Sequence, residues 1–241
     1  MSSKEPVVSL SGSPIYRHGE EKVWQAPQGE ECIEQISAHI ATHLGEVETV
    51  FHELMSDTVH IDVHFVKPTP EFPYARLVTS GMSDLPMVVP EGAELPRYLE
   101  LMMTLPGDWK MAQEDFKDER WYWPVRQLKV LARMPHKFDT WLGWGHTIPN
   151  GDPAEPYAEN TRFCCSILLP SITVPEEFNT LEIHPDKVIH FLAVVPLYQE
   201  EMALKLRNGA NKLLDKLGAA DVSDIVDLTR TNVARKRFGI F

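Results

Sequence analysis

Apolar and polar residues along the chain fall into blocks with distinct periods. Ile33, Ile36, Ile40, Leu44 and Val47 recur every three or four positions, which sets them on one stripe of a helix predicted over about 30–44. Gly45 ends it, because glycine tolerates positive φ. Val59 to Val66 alternates strictly between apolar and polar residues, so a strand is predicted with one face buried and the other not. Further strands are predicted over Tyr74 to Thr79, Tyr98 to Thr104, Trp141 to His146, Thr161 to Leu169, Thr180 to Ile183 and Val188 to Val195. A second helix is expected over Asp118 to Met134, with Val125, Leu128 and Leu131 inward. Pro135 is its expected stop, since a proline disfavours the helical well for the residue before it. A third helix begins after Pro196, with Glu200 and Glu201 at its positive end and Lys212 and Lys216 near its negative end. Met202, Leu206, Leu213 and Leu217 line its apolar face.

Residues 1–29 are polar, carry Pro6, Pro14 and Pro27, and hold no sustained period; they read as an irregular arm. Residues 30–241 then form a single domain. Strands separated by helices at irregular intervals, without regular βαβ alternation, give an α+β class with a mixed, mostly antiparallel sheet flanked by helices.

Composition narrows the function classes. The 241 residues carry 23 Lys+Arg against 35 Asp+Glu, a net charge of −12, which argues against a nucleic-acid binder. Apolar runs such as Phe191 to Val195 fall far short of the roughly 20 residues that span a bilayer. The N-terminus has no apolar signal core, so a soluble cytoplasmic protein is expected. Of the three cysteines two are adjacent, Cys164 and Cys165, and they form neither a disulfide framework nor a metal knuckle. Alternation along a strand would bury one of that pair and turn the other outward.

Several residue patterns carry candidate chemistry, each with a plainer account beside it. His39, His43 and Glu46 share one stripe of the first helix and could converge on a metal ion; the stripe also borders the apolar face, where such residues occur anyway. No zinc-protease motif supports it, since Ser56 stands where the second histidine is needed. His60, Asp62 and His64 point to one side of a strand, which makes either a metal-binding face or a solvated or loop-covered one. Gly81-Met82-Ser83-Asp84-Leu85 begins like a nucleophile elbow but lacks its second glycine, so a Ser83, His146 and Asp152 triad can be drawn without being located in space. Gly143-Trp144-Gly145 lacks the third glycine of a dinucleotide loop. Arg126, Lys129 and Arg133 form a basic stripe or a solvated helix face. Trp109, Trp121, Trp123, Trp141 and Trp144 are five of the six tryptophans, and with Tyr122 they build either a core around irregular loops or a recognition groove.

Five stretches in order, LVTSGMSDLPM from Leu77, DERWYWPVR from Asp118, LKVLAR from Leu128, WLGWGHTIPNG from Trp141 and FLAVVPLY from Phe191, resemble the Suppressor of fused domain family in its bacterial branch. The likeness runs from about Val59 to Arg237. It implies a mixed α/β domain and a non-catalytic protein-binding module without a cofactor or metal. In animal members the partner is a short peptide clamped as an added β-strand between two lobes, and this chain has room for one lobe. The bacterial branch implies an immunity or regulatory protein that sequesters a protein partner, such as a toxin. The residues expected to touch that partner are Ser80, Ser83, Asp84, Trp144, His146, Asn150 and Asp152, polar and aromatic positions inside the family-like stretches and on Gly/Pro-rich connections. Loop-capping by Ser83, Asp84 and Asn150 is the plainer account. The competing class is a hydrolase or metal-dependent enzyme using His146 with Asp152, or His60 with His64. A third is a structural subunit of a homo-oligomer.

Overall fold

In the computed structural model, residues 7–19, 29–52 and 59–235 are described. A small antiparallel pair, β1 (Val7–Val8) and β2 (Pro14–Ile15), lies in the arm. The main sheet has eight strands. β3 (Val47–Phe51), β4 (Asp62–Val66), β5 (Tyr74–Ser80) and β6 (Tyr98–Pro106) form an antiparallel run. Next comes β10 (Lys187–Leu197), then β8 (Cys165–Leu169) and β7 (Thr147–Pro149), while β9 (Thr180–His184) pairs with the first part of β10. Only β6 and β10 run parallel among these pairs. The sheet is therefore mixed and mostly antiparallel, as the strand spacing predicts.

Helix α1 (Ile33–His43) and helix α2 (Glu119–Phe138) cover opposite faces. Period-2 alternation feeds both cores: on β5, Ala75 and Leu77 join Trp123, Leu128 and Leu131 of α2, whereas Val78 joins Ile36 and Ile40 of α1. Trp123 is fully buried, stacked at 5.1 Å on Tyr157 and edge-on to Trp109. The tryptophan-rich stretch is thus mainly core, with Trp144 the exception at 56% exposure.

Five local expectations are overturned. The polar face of Val59 to Val66 is covered from Asp62 onward, with Asp62 and His64 buried and only His60 exposed, because helices pack on both sides of the sheet. Helix α2 runs through Pro135 to Phe138: the Pro135 ring is buried, His136 Nε2 contacts the Met82 carbonyl at 2.8 Å, and Asp139, at φ 50, closes the helix by donating to the Pro135 carbonyl. Trp141 to His146 is a turn, since Gly145 adopts φ 75 and bonds to the Leu168 carbonyl instead of extending a ladder. The third helix is two, α3 (Gln199–Asn208) and α4 (Ala210–Gly218), broken where Gly209 takes φ 88. Leu213 and Leu217 are buried as expected, but α3 buries Glu201 and Lys205. Finally, Cys164 and Cys165 are both buried, with sulfurs 3.8 Å apart.

Candidate functional site

The β7 edge of the sheet gathers four of the seven expected contact residues. After α2, the chain turns at Gly143 to His146 and enters β7, where Leu168 donates to the His146 carbonyl and Asn150 donates to the Cys164 carbonyl. Lys205, buried on α3, fixes this turn from behind by donating to the Gly145 carbonyl at 2.6 Å and to Thr147 at 3.1 Å. His146 lies edge-on to Trp141 at 5.7 Å, and burial with the nearby Lys205 charge holds its pKa below the ordinary value. Asn150 donates to the Glu155 and Pro156 carbonyls, so it caps its own turn. Asp152 is exposed and 3.7 Å from Arg17 of the arm. The arm crosses this edge: Ser11 bonds to the Lys205 and Leu206 carbonyls, Tyr16 packs on Trp141 at 5.0 Å, and His18 stacks on Phe138. Tyr16, Val88 and Trp144, all exposed, border the same segment, since Val88 bonds to the Thr140 carbonyl.

The other three expected residues lie four strands away, at the end of β5. Gly81, at φ 99, turns the chain into a short 3-10 turn over Met82–Asp84. Ser80 is buried and 2.9 Å from His64 Nε2. Ser83 is buried too, and gives both its N–H (2.9 Å) and its hydroxyl (2.6 Å) to Glu100 Oε1, while Thr79 donates to Oε2 at 2.6 Å. Three donors favour the Glu100 carboxylate, but complete burial outweighs them and raises its pKa to about 7. Asp84 accepts the Cys32 N–H at the start of α1, and desolvation raises it to about 6. Ser83, His146 and Asp152 form no triad, because Ser83 is bonded to Glu100 at the end of β5 while the other two lie at the β7 edge, four strands away.

Other candidate chemistry resolves likewise. His39 stacks on Phe178 and Phe191 and bonds to the Phe178 carbonyl at 3.0 Å, and Glu46 lies in the field of Lys67, so that stripe is structural. Arg126 bridges Glu119 and the Tyr157 carbonyl, and Lys129 holds the Phe51 carbonyl at 3.0 Å. Among the described residues, the fold assembles one trio of metal-ligand type, His52, His60 and Asp62, of which His52 was not singled out by the sequence pattern. Glu100 is a second group outside those patterns, although a lone carboxylate in the apolar run Tyr98 to Leu105 is a visible signal. The buried pair Glu201–Arg230, 2.6 Å apart, joins α3 to a C-terminal segment with no periodicity to announce it.

A mixed, mostly antiparallel sheet covered by helices on both faces, with an aromatic turn at one edge, defines the class of protein. The sequence matches the model of the Suppressor of fused protein (SUFU) family over residues 57–231, well over half of the chain, and the chain belongs to that family. Among solved structures it is similar to a SUFU homologue from Neisseria gonorrhoeae, with a TM-score of 0.61 and 16% identity over 85% of this chain and 97% of that one. It is also similar to a chain of the Sufu–Fu complex, with a TM-score of 0.58 and 13% identity over 86% of this chain and 93% of that one. These likenesses show the fold. No curated protein matches the sequence. Among the described residues, no helix is long and apolar enough to cross a membrane.

Proposed function

We propose that the chain is a non-catalytic module that captures a protein partner at the β7 edge, acting as an immunity or regulatory protein. The observation that carries this reading is Trp144. Large aromatic rings concentrate binding energy at interfaces, and this one stands 56% exposed on a turn that Lys205 holds rigid from behind. We assign His146 and Asp152, which flank β7 along the same segment, as polar contacts. Asp84 belongs to a separate neighbourhood, and Ser80 and Ser83 are interior groups that support the scaffold. The net charge of −12 favours a basic partner, as steering by opposite charge speeds encounter. Membership of a family with a solved partner complex, Sufu–Fu, supports binding over catalysis. Pro149 leaves a gap in the donor row of β7, so at this edge side chains of the Trp144 turn carry the contact more than an added β-strand does.

The test is affinity capture from lysate of the protein's own cells, with Trp144→Ala and His146→Ala as paired controls checked by circular dichroism. The reading expects one stoichiometric protein recovered by the wild type and lost in folded Trp144→Ala. Its identity separates toxin immunity from regulation. Undiminished capture by both variants, or no recovery by the wild type, refutes this assignment of the site.

A further inference from the structure

The end of β3 and the start of β4 bring two imidazoles onto one buried carboxylate. His52 Nδ1 lies 2.9 Å from Asp62 Oδ2, and His60 Nε2 lies 3.1 Å from Asp62 Oδ1. The three ligand atoms all fall within 4.8 Å of one another. The Asp62 side chain is 5% exposed, against 63% and 48% for His52 and His60, so the anion is fixed inside while the histidines stand at the surface and can adjust. Backbone on both sides is held. Lys129 grips the Phe51 carbonyl, and Asp62 sits in register with Ser80 on β5. Two residues along the same side of β4, His64 keeps a buried Nδ1 with no hydrogen-bond partner while its Nε2 meets Ser80.

We propose that His52, His60 and Asp62 bind a divalent transition metal, zinc above all, which clips the end of β3 to the start of β4. Two neutral imidazoles and a carboxylate are donors for borderline ions of the zinc type, whereas calcium and magnesium take oxygen ligands. Around a tetrahedral zinc with ligands near 2.0–2.1 Å, the donor atoms stand about 3.3 Å apart; each imidazole already lies 2.9 or 3.1 Å from one Asp62 oxygen, and the two exposed histidines supply the adjustment that turns both toward one ion. Three protein ligands leave a fourth position, and the exposure of both histidines turns it toward solvent, where a water or a partner's side chain can fill it. The site is remote in sequence and in sheet order from the β7 edge, so it stands or falls independently of the partner-binding reading.

The experiment uses untagged full-length protein stripped with chelator and titrated with zinc chloride against a chromophoric competitor. In parallel, cobalt is titrated to read its visible absorption. One equivalent is expected, with His52→Ala and His60→Ala each weakening it by at least about tenfold, a loss that removal of even an outer-shell partner can bring. His43→Ala, in the other histidine pair, leaves binding unchanged. Each variant leaves the buried Asp62 carboxylate one partner short, so the metal-free variants should melt below the metal-free wild type, and only the wild type should gain melting temperature with added zinc. The assignment is overturned if the wild type binds no more zinc than the His52→Ala/His60→Ala double variant.

Discussion

The Glu100 carboxyl makes a quantitative test of how the sheet interior treats charge. It is fully buried, accepts bonds from Ser83 N–H, Ser83 Oγ and Thr79 Oγ1, and has its pKa raised from 4.5 to about 7. In the unfolded chain it loses its proton near the ordinary value, whereas in the folded protein it keeps the proton to about 7. Between those values the folded state binds more protons, so stability falls as pH rises through the interval and levels off above it. At about 1.36 kcal/mol per pH unit, the full effect is about 3 kcal/mol. Glu100→Gln removes the titrating group and keeps the shape, although the amide offers Thr79 a donor where the carboxyl offered an acceptor. That mismatch costs about 1 kcal/mol and does not vary with pH. The readout is urea denaturation of both proteins from pH 4.5 to 8. The stability of Glu100→Gln relative to wild type should rise by about 3 kcal/mol across that range. A difference that stays flat within about 0.5 kcal/mol would refute the claim that burial outweighs three hydrogen bonds at Glu100.

Other consequences are independent of this one. Arg230→Ala strands Glu201, which is fully buried and bonded through both oxygens, and should cost about 3–5 kcal/mol in urea unfolding. Glu201 also accepts the Tyr198 and Val233 N–H groups, so Glu201→Gln combined with Arg230→Ala, which keeps an acceptor and removes the stranded charge, should recover part of that loss, and a double variant no better than the single would count against the pair. Gly81→Ala places a Cβ against the His60 carbonyl in a left-handed conformation and should destabilise by more than about 2 kcal/mol, while Gly12→Ala, with open space around it, should cost about 1. Cys32, Cys164 and Cys165 are buried, and desolvation pushes each thiol upward, so native protein should resist thiol reagents that label all three once it is unfolded. Rapid labelling of the native protein would contradict that burial.

Family membership follows from ordered motifs spread along the chain, and it was legible because LVTSGMSDLPM, DERWYWPVR and WLGWGHTIPNG combine rare residues in fixed order. The candidate site was legible only in part. Trp144, His146, Asn150 and Asp152 lie close in sequence, so one turn and one short strand suffice to place them on one edge. Ser80 ends β5 and Ser83 and Asp84 follow at the Gly81 turn, yet both serines face inward, where Ser83 donates to Glu100 and Ser80 meets His64 Nε2. Local composition marks a loop but not which way its hydroxyls point.

Period and punctuation determined most elements by themselves: the α1 stripe of Ile36 and Ile40, the β4 alternation and the long β10 run all reflect a local fit of side chains to one backbone geometry. What only the tertiary structure decided depends on partners distant in sequence. A second helical layer buries the polar face of β4, packing carries α2 through Pro135, and Gly209 breaks α3 from α4 where their buried faces differ. The same holds for charge. Asp62 meets His52 from ten positions away and Glu201 meets Arg230 from 29, and burial, absent from any local window, is what gives these pairs their energetic weight.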